Sequence, residues 1–170
     1  MTPLREFAPY PLAVGGGTLA IAPMPGRTRH YAADREALLR WGPALVVTMT
    51  ERAELDRKGS ATLGEDLAAA GIGWWHLPVT DYGAPDPEVE ALWPEAEAAA
   101  LAALSRGARV LVHCMGGCGR SGMAALRLMI AAKEPPEAAF ARLRATRPCA
   151  VETDAQLRWA TGGALAVLPG

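Results

Sequence analysis

The stretch that decides the fold is residues 109–132, RVLVHCMGGCGRSGMAALRLMIAA. Its start, RVLVH, centres on three consecutive apolar residues, which is typical of a buried strand. The apolar run from Met123 to Ala132 predicts a helix. Between them lies a segment rich in glycine, so the stretch predicts a strand, a loop and a helix in direct succession. The loop then lies where the carboxyl end of a strand meets the amino end of a helix.

Outward from this stretch, strands and helices alternate along the rest of the chain. Glycines 15–17 separate two short apolar runs and predict a hairpin of residues 12–14 with 18–22. We expect further strands over 44–49 and 73–79, and helices over 34–41 (capped by Asp34), about 62–71, 87–105, 136–146 and 153–160 (capped by Thr153). This pattern predicts one α/β domain over residues 1–170, with its core at about 12–160 and a central, mostly parallel sheet flanked by helices.

Composition and charge exclude several classes of protein. The chain has 170 residues, 51% of them hydrophobic, and a net charge of −1 from 17 basic and 18 acidic residues. This balance provides no general basic field, so we expect no nucleic-acid partner. No segment approaches the roughly 18 to 20 apolar residues of a membrane span, and the start of the chain lacks the apolar core of a signal peptide. We therefore expect a cytoplasmic monomer without a membrane partner, whose three cysteines are free thiols.

The glycine-rich loop has the composition of an oxyanion-binding site. Its glycines permit close backbone approach, and backbone N–H groups at a helix N-terminus attract anions, helped by the helix dipole. An arginine at the end of the loop can add two parallel hydrogen bonds to a phosphate. We expect Cys114, at the base of the loop, to be a thiolate nucleophile. The predicted phosphate-binding residues are Met115, Gly116, Gly117, Cys118, Gly119 and Arg120.

At these residues the chain resembles a known enzyme superfamily. His113, Cys114, Gly117, Arg120 and Ser121 match the signature HCxxGxxRS of the cysteine-based protein tyrosine phosphatases. Within that superfamily the chain is most similar to the dual-specificity branch, particularly the cyclin-dependent kinase inhibitor phosphatase-like group. The resemblance implies an α/β fold and hydrolysis of phosphate monoesters through a phosphocysteine intermediate. It also implies a phosphorylated protein as substrate, with no metal ion or other cofactor.

Other segments extend the resemblance to about residues 12–160. Residues 75–85, WHLPVTDYGAP, are similar to the family's general-acid loop and make Asp81 the expected proton donor, with Asp86 as the second choice. Residues 147–156, RPCAVETDAQ, are similar to the segment whose glutamine, here Gln156, orients the hydrolytic water. Residues 23–27 and 47–51 also look similar to that group.

The remaining polar residues of the motif have supporting roles in this interpretation. We expect His113 to fix the backbone near the nucleophile and Ser121 to donate to the Cys114 thiolate. Cys118 is either a small packing residue or the partner of an oxidised Cys114 in a local disulfide, and Cys149 is structural. A metal site at His113, Cys114 and Cys118 is not expected, because no second pair of ligands accompanies them.

Two other functions stay open at this point. A catalytically inactive phosphate-binding module would keep the loop but lose its reactive residues, whereas Cys114, Asp81 and Arg120 are all present. A sulfur-transfer or arsenate-reducing enzyme also uses a cysteine in an anion-binding loop. Among phosphatases, the absence of lysine from residues 115–119 favours protein substrates over phosphoinositides. The choice between phosphotyrosine and phosphoserine or phosphothreonine is left open by the sequence.

Overall fold

A computed structural model describes residues 7–170, which form a five-stranded sheet with helices on both faces. The strands are β1 (Tyr10–Val14), β2 (Gly17–Ala22), β3 (Leu45–Thr48), β4 (Gly73–His76) and β5 (Arg109–His113), in the spatial order β1-β2-β5-β3-β4. Only β1 runs antiparallel, as the first strand of the hairpin with β2, and the other neighbours are parallel. The expected α/β fold with a mostly parallel sheet is confirmed.

Seven helices are found in the described part of the chain. They are α1 (Tyr31–Trp41), α2 (Arg52–Arg57), α3 (Leu63–Ala69), α4 (Pro87–Ser105), α5 (Gly119–Ala131), α6 (Pro136–Thr146) and α7 (Asp154–Thr161). Thr153 caps α7 as predicted, since its side chain accepts a hydrogen bond from the amide of Gln156. None of these helices combines the length and apolar character needed to cross a bilayer.

The central strand β5 is buried on both faces, which explains its continuous apolar sequence. Successive side chains of a strand point to opposite faces, so Val110 and Val112 pack with one apolar cluster and Leu111 with another. The first cluster includes residues of α4 to α7, and the second includes residues of α1 to α3. Strand β5 is thereby held rigidly, and the loop that leaves its carboxyl end starts from a fixed point.

Several sequence predictions about local structure were wrong. Asp34 does not cap α1, which begins at Tyr31; it is buried and accepts hydrogen bonds from the amides of Gly26 (2.8 Å) and Phe7 (3.4 Å). Strand β4 ends at His76 rather than at residue 79. The proline at position 78 has no N–H group for the ladder, although the amides on either side of it still bond to the β3 edge.

Two helices also differ from the prediction. Helix α2 was not expected, because its six residues are too few for a clear apolar period. Helix α5 begins at Gly119, four residues before the predicted start, so the end of the glycine-rich loop is its first turn. The first turn of a helix leaves its N–H groups without intrahelical partners. These amides are therefore available at the loop.

Candidate active site

The loop from Met115 to Cys118 directs its carbonyl groups outward. The carbonyl oxygen of Met115 accepts from the amide of Met24 at 3.1 Å. Arg147 donates from Nη2 to the oxygen of Gly116 and from Nε to that of Gly117, at 2.9 and 3.0 Å. The oxygen of Cys118 accepts from the amides of residues 122 and 151. Four successive carbonyl groups are thus held by bonds to the surrounding structure.

This arrangement leaves the amide groups of the loop for a ligand. In a planar trans peptide the N–H points away from the C=O, so outward carbonyls at 115–118 place the N–H groups of residues 116–119 inward. Within residues 7–170, no hydrogen bond has an amide of residues 115–120 as its donor. A ring of unpaired N–H groups beside the N-terminus of α5 is a binding site for an oxyanion.

Two glycines of the loop differ in how much space surrounds them. Gly117 has a φ of 71°, and a Cβ there would lie 2.7 Å from the backbone of Ala22 and Pro23. Glycine is therefore required at this position, for conformation and for space. Gly116 is open, because the nearest atom to a Cβ built on it is Nη2 of Arg27 at 4.0 Å.

Cys114 lies at the base of the loop with its side chain buried. Its Sγ is 3.1 Å from Oγ of Ser121, whose side chain is also buried. Behind it, Nδ1 of His113 is 3.4 Å from the carbonyl oxygen of Cys114, and Nε2 is 2.7 Å from Oγ1 of Thr48. Burial lowers the pKa of His113 to about 4, so the ring is neutral near pH 7. A neutral ring donates from Nδ1 to the carbonyl and accepts the Thr48 hydroxyl proton at Nε2.

A buried ion pair, which the sequence did not predict, holds the guanidinium group of Arg120 at the site. Its Nη1 and Nη2 donate to the two carboxylate oxygens of Glu54 at 2.7 and 2.8 Å, and Nη1 also donates to the carbonyl oxygen of Val79. Burial alone would lower the pKa of Arg120, but its bonds to Glu54 and the nearby charges of Cys114 and Asp81 raise it. Nε of Arg120 is buried without a partner among the described residues.

Glu54 is placed by helix α2, which follows the carboxyl end of β3. Its carboxylate accepts from the amide of Glu51 at 2.7 Å, as part of a capping box at the start of α2. Burial raises the pKa of Glu54, yet the hydrogen bonds from Arg120 and Glu51 outweigh burial and hold it below its ordinary value. The sequence signal for the start of α2 was a pair of glutamates three residues apart directly after a parallel strand.

Asp81 lies on the segment between β4 and α4, opposite the loop. Its Oδ1 is 3.5 Å from Nη2 of Arg120 and accepts from the amide of Tyr82, and 56% of the side chain is exposed. Asp86, the second choice for this role, instead caps α4 by accepting from the amide of Val89 at 2.9 Å. Of the two carboxylates, only Asp81 lies beside Arg120.

Gln156 connects three segments around the loop. It is buried; its Nε2 donates to the carbonyl oxygen of Gly83 at 3.0 Å, and its Oε1 accepts from the amide of Glu152 at 2.8 Å. A Cβ added to Gly119 would lie 2.9 Å from Oε1 of Gln156. The structure therefore brings together all five predicted catalytic residues: Cys114, Arg120, Asp81, Ser121 and Gln156.

The expectation of three free thiols was wrong. Cys118 and Cys149 form a disulfide, and Cys114 is the one free cysteine of the described chain. With its sulfur bonded to Cys149, Cys118 is not available to trap an oxidised Cys114. The bond joins the loop to the segment before α7, close to the contacts of Arg147. In residues 7–170 no group of three or more His, Cys, Asp or Glu side chains has the arrangement of a metal site.

Comparison with known proteins gives consistent results. The family model described as Swiss Army Knife protein, DSP-PTPase phosphatase domain (PTP-SAK), matches residues 19–159. Cyclin-dependent kinase inhibitor 3 from Mus musculus is 32% identical over 120 residues, which is 70% of this chain but only 56% of the mouse protein. The chain thus spans little more than half the length of that relative.

Two solved structures have similar folds. Kinase associated phosphatase, with its catalytic-site cysteine replaced by serine, matches with a TM-score of 0.79 and 24% identity over 92% of this chain and 93% of the other. The active form of Tk-PTP matches with a TM-score of 0.70 and 26% identity over 96% and 97% of the two chains. Both similarities extend over more than nine tenths of each chain.

Proposed function

Because the chain belongs to the DSP-PTPase phosphatase domain family, as the loop motif predicts, we propose that it hydrolyses phosphate monoesters through a phosphocysteine intermediate. The observation that supports this most directly is the buried Nε of Arg120, which has no partner in the described chain. A buried unpaired donor is costly. Since it accompanies a ring of unpaired loop amides, a bound phosphoryl group would satisfy both at once.

In the first step, the sulfur of Cys114 attacks phosphorus as the bond to the leaving oxygen breaks. The loop amides and Arg120 stabilise the charge on the equatorial oxygens. Glu54 holds Nη1 and Nη2 of Arg120 from one side, which leaves Nε and the second proton of Nη2 to face the substrate. Asp81 gives its proton to the leaving oxygen, which departs as an alcohol or phenol.

In the second step, water attacks the phosphocysteine and releases inorganic phosphate. Gln156 positions this water next to the loop, and Asp81, now ionised, accepts a proton from the water. The leaving group is the Cys114 sulfur, and Ser121, at 3.1 Å, donates a hydrogen bond to the thiolate that forms. The residues of the chain supply the nucleophile, the acid and base, and the charge stabilisation, so the proposed mechanism uses no metal ion.

We propose a phosphorylated protein as the substrate. Two of the similar proteins, cyclin-dependent kinase inhibitor 3 and kinase associated phosphatase, have names that refer to kinases. Residues 115–119 carry no lysine that could meet the additional phosphates of an inositol lipid. A phosphorylated side chain of a protein therefore fits the loop better than a phosphoinositide does.

The test is turnover of an aryl phosphate, para-nitrophenyl phosphate, by the purified protein with and without EDTA. We expect activity in both conditions, none in Cys114→Ser, and a severe loss in Arg120→Lys, because a point charge cannot replace a planar fork. Arg106→Lys, at an exposed position beyond α4, is the matched control and should behave as wild type. After a rapid acid quench, mass spectrometry should detect phosphate on Cys114.

Two outcomes would overturn the proposal. Full activity in Cys114→Ser would exclude the phosphocysteine route. If the wild type binds phosphopeptides but turns none over, the chain is an inactive phosphate-binding module instead.

A further inference from the structure

We propose that Trp74 and Thr48 are positioning residues for the nucleophile, Cys114. They act through the ring of His113, which contacts the peptide group of Cys114. This inference rests on the proposed function, because it concerns the reaction of the same cysteine. Neither residue belongs to the loop motif, and Trp74 lies on the edge strand β4. A hydrogen-bonded chain of side chains connects that edge of the sheet to the nucleophile.

The chain of side chains crosses three strands on one face of the sheet. Nε1 of Trp74, on β4, donates to Oγ1 of Thr48 on β3 at 2.8 Å. The same Oγ1 is 2.7 Å from Nε2 of His113, which lies directly opposite Thr48 in the register of β3 and β5. Nδ1 of His113 is in turn 3.4 Å from the carbonyl oxygen of Cys114. Thr48 and His113 are fully buried, so neither is accessible to solvent.

The donor at the edge of the sheet sets the direction of every bond in this chain. An indole N–H can only donate, so it occupies an acceptor position of the Thr48 hydroxyl. That hydroxyl has no third partner within residues 7–170, and its own proton is therefore directed to Nε2 of His113. Nδ1 then carries the ring proton and donates to the carbonyl oxygen of Cys114.

The other neutral form of the histidine ring fits these contacts poorly. With the ring proton on Nε2, the Thr48 oxygen would accept twice, and its hydroxyl proton would have no acceptor among the described residues. Nδ1 and the carbonyl oxygen of Cys114 would also face each other as two acceptors. Buried polar groups without a partner are costly, so the contacts of Thr48 select the form with the proton on Nδ1.

The indole of Trp74 is itself held in place. Its ring stacks on that of His76, with the ring centroids 5.3 Å apart and an angle of 13° between the planes. Helix α3 approaches the indole through Gly64, where any side chain would collide with the ring. Glycine is disfavoured within a helix, and the space that the indole occupies explains its presence there. The donor at the start of the chain is therefore fixed in direction.

The contact at Cys114 depends on this support because it is long. A distance of 3.4 Å is near the limit for a hydrogen bond and orients the ring weakly, whereas the bond of 2.7 Å to Thr48 orients it well. The carbonyl groups of residues 115–118 are held by contacts that do not involve His113. Loss of the chain should therefore displace the nucleophile and leave the anion-binding amides in place.

The experiment measures kcat for para-nitrophenyl phosphate and the inhibition constant of inorganic phosphate in matched variants. Thr48→Val keeps the shape of the side chain and should lower kcat by about tenfold, within the effect of about 10²-fold that a misplaced group can have. The inhibition constant should change by less than about twofold, because phosphate binds to the loop amides. Thr48→Ser keeps the hydroxyl and should restore kcat to near the wild-type value.

Variants of Trp74 test whether the two residues act through one chain. Trp74→Phe should lower kcat by about threefold to fivefold, as expected for loss of one hydrogen bond. The double variant should be no slower than Thr48→Val, because both changes interrupt the same chain. Trp75→Phe is the matched control and should leave kcat unchanged, since Trp75 packs with the other apolar cluster and its indole donates no hydrogen bond within residues 7–170.

Three outcomes of these kinetics would overturn the proposal. They are an unchanged kcat in Thr48→Val, additive losses in the double variant, and a loss in Trp75→Phe equal to that in Trp74→Phe. The last of these would show that any change to the indoles of β4 disturbs the site.

Nitrogen NMR spectroscopy of isotope-labelled protein separates failure of this inference from failure of the proposed function, because it requires no turnover. The ring of His113 should carry a proton on Nδ1 and none on Nε2. Thr48→Val and Trp74→Phe should shift the Nε2 resonance, and Trp75→Phe should not. These shifts support the chain even if no phosphate ester is hydrolysed. A proton on Nε2 in the wild type, or an Nε2 resonance unchanged in Thr48→Val, would refute it even if the wild type is an active phosphatase.

Discussion

Replacing Glu54 with glutamine removes the negative charge that faces Arg120 while keeping the shape of the side chain. The two side chains are 8% and 1% exposed, so solvent screens their interaction little. Removing one partner of a buried ion pair costs about 3–5 kcal/mol. Glutamine keeps one acceptor, and the carbonyl oxygen of Val79 still bonds to Nη1. We therefore expect a loss of about 2–3 kcal/mol in the free energy of unfolding at pH 7.

Thermal unfolding at a series of pH values is the assay. For a chain of this size the loss corresponds to a decrease in Tm of about 5–10 °C. The pKa of Glu54 is lowered in the folded state, so ionised Glu54 stabilises the fold above its unfolded pKa of about 4.3. This stabilisation disappears as pH falls through the lower, folded pKa. The difference in Tm between wild type and Glu54→Gln should therefore be full at pH 7 and shrink below about pH 4.

Kinetics provide the second measurement of the same variant. Without Glu54, Arg120 loses the partner that orients its Nε, and a misplaced catalytic group can lower the rate by about 10²-fold. We expect a decrease of this order in kcat/KM for an aryl phosphate. Glu95→Gln, at an exposed position of α4, controls for the change in net charge and should leave Tm and kcat/KM unchanged. An equal difference in Tm at pH 7 and pH 3.5 would refute the assignment of the effect to the ion pair.

Three further predictions concern other parts of the site. In the folded protein the pKa of His113 is about 4, whereas in the unfolded chain this histidine binds a proton below about pH 6.5. The free energy of unfolding of the wild type should therefore decrease by about 2 kcal/mol between pH 7 and pH 5. His113→Asn should show a smaller dependence on pH in the same unfolding series. Asp81→Asn should slow phenyl phosphate more than esters with acidic leaving groups; equal slowing of all esters would place the proton donor elsewhere. Breaking the Cys118–Cys149 bond, which spans 31 residues, should lower the free energy of unfolding by about 3–4 kcal/mol. Dithiothreitol should therefore lower the Tm of the wild type but not that of Cys149→Ser. Detection of three free thiols in the unreduced, denatured protein would contradict this prediction.

The elements bounded by proline or glycine could be predicted from the sequence. The bounds of α4, β5 and α6 agree with the predicted ranges 87–105, 109–113 and 136–146 because proline starts both helices and glycine separates α4 from β5. The fold class followed from the alternation of strands and helices. These signals are local, so neighbouring residues are enough to identify them.

The features that were missed depend on contacts between distant residues. Glu54 and Arg120 are 66 positions apart, and nothing near either residue shows that they pair. Cys118 has two possible disulfide partners, Cys114 in the same loop and Cys149 beyond α6. Which of them lies close enough depends on where the chain returns after α6. Arg147 reads as a helix-terminal arginine, although its guanidinium holds two carbonyl groups of the loop.

The space around the loop glycines limits which of them can be replaced. A side chain at position 117 would collide with the backbone of β2 and the residue after it, whereas one at 119 would meet the ends of the Glu152 and Gln156 side chains, which can move. Position 116 has free space, since the nearest atom to a Cβ built there is Nη2 of Arg27 at 4.0 Å. Of the three positions, 116 therefore accommodates a new side chain with the least disturbance of its neighbours. A mutational history of the family should accordingly record variation at 116 beside near-invariance at 117.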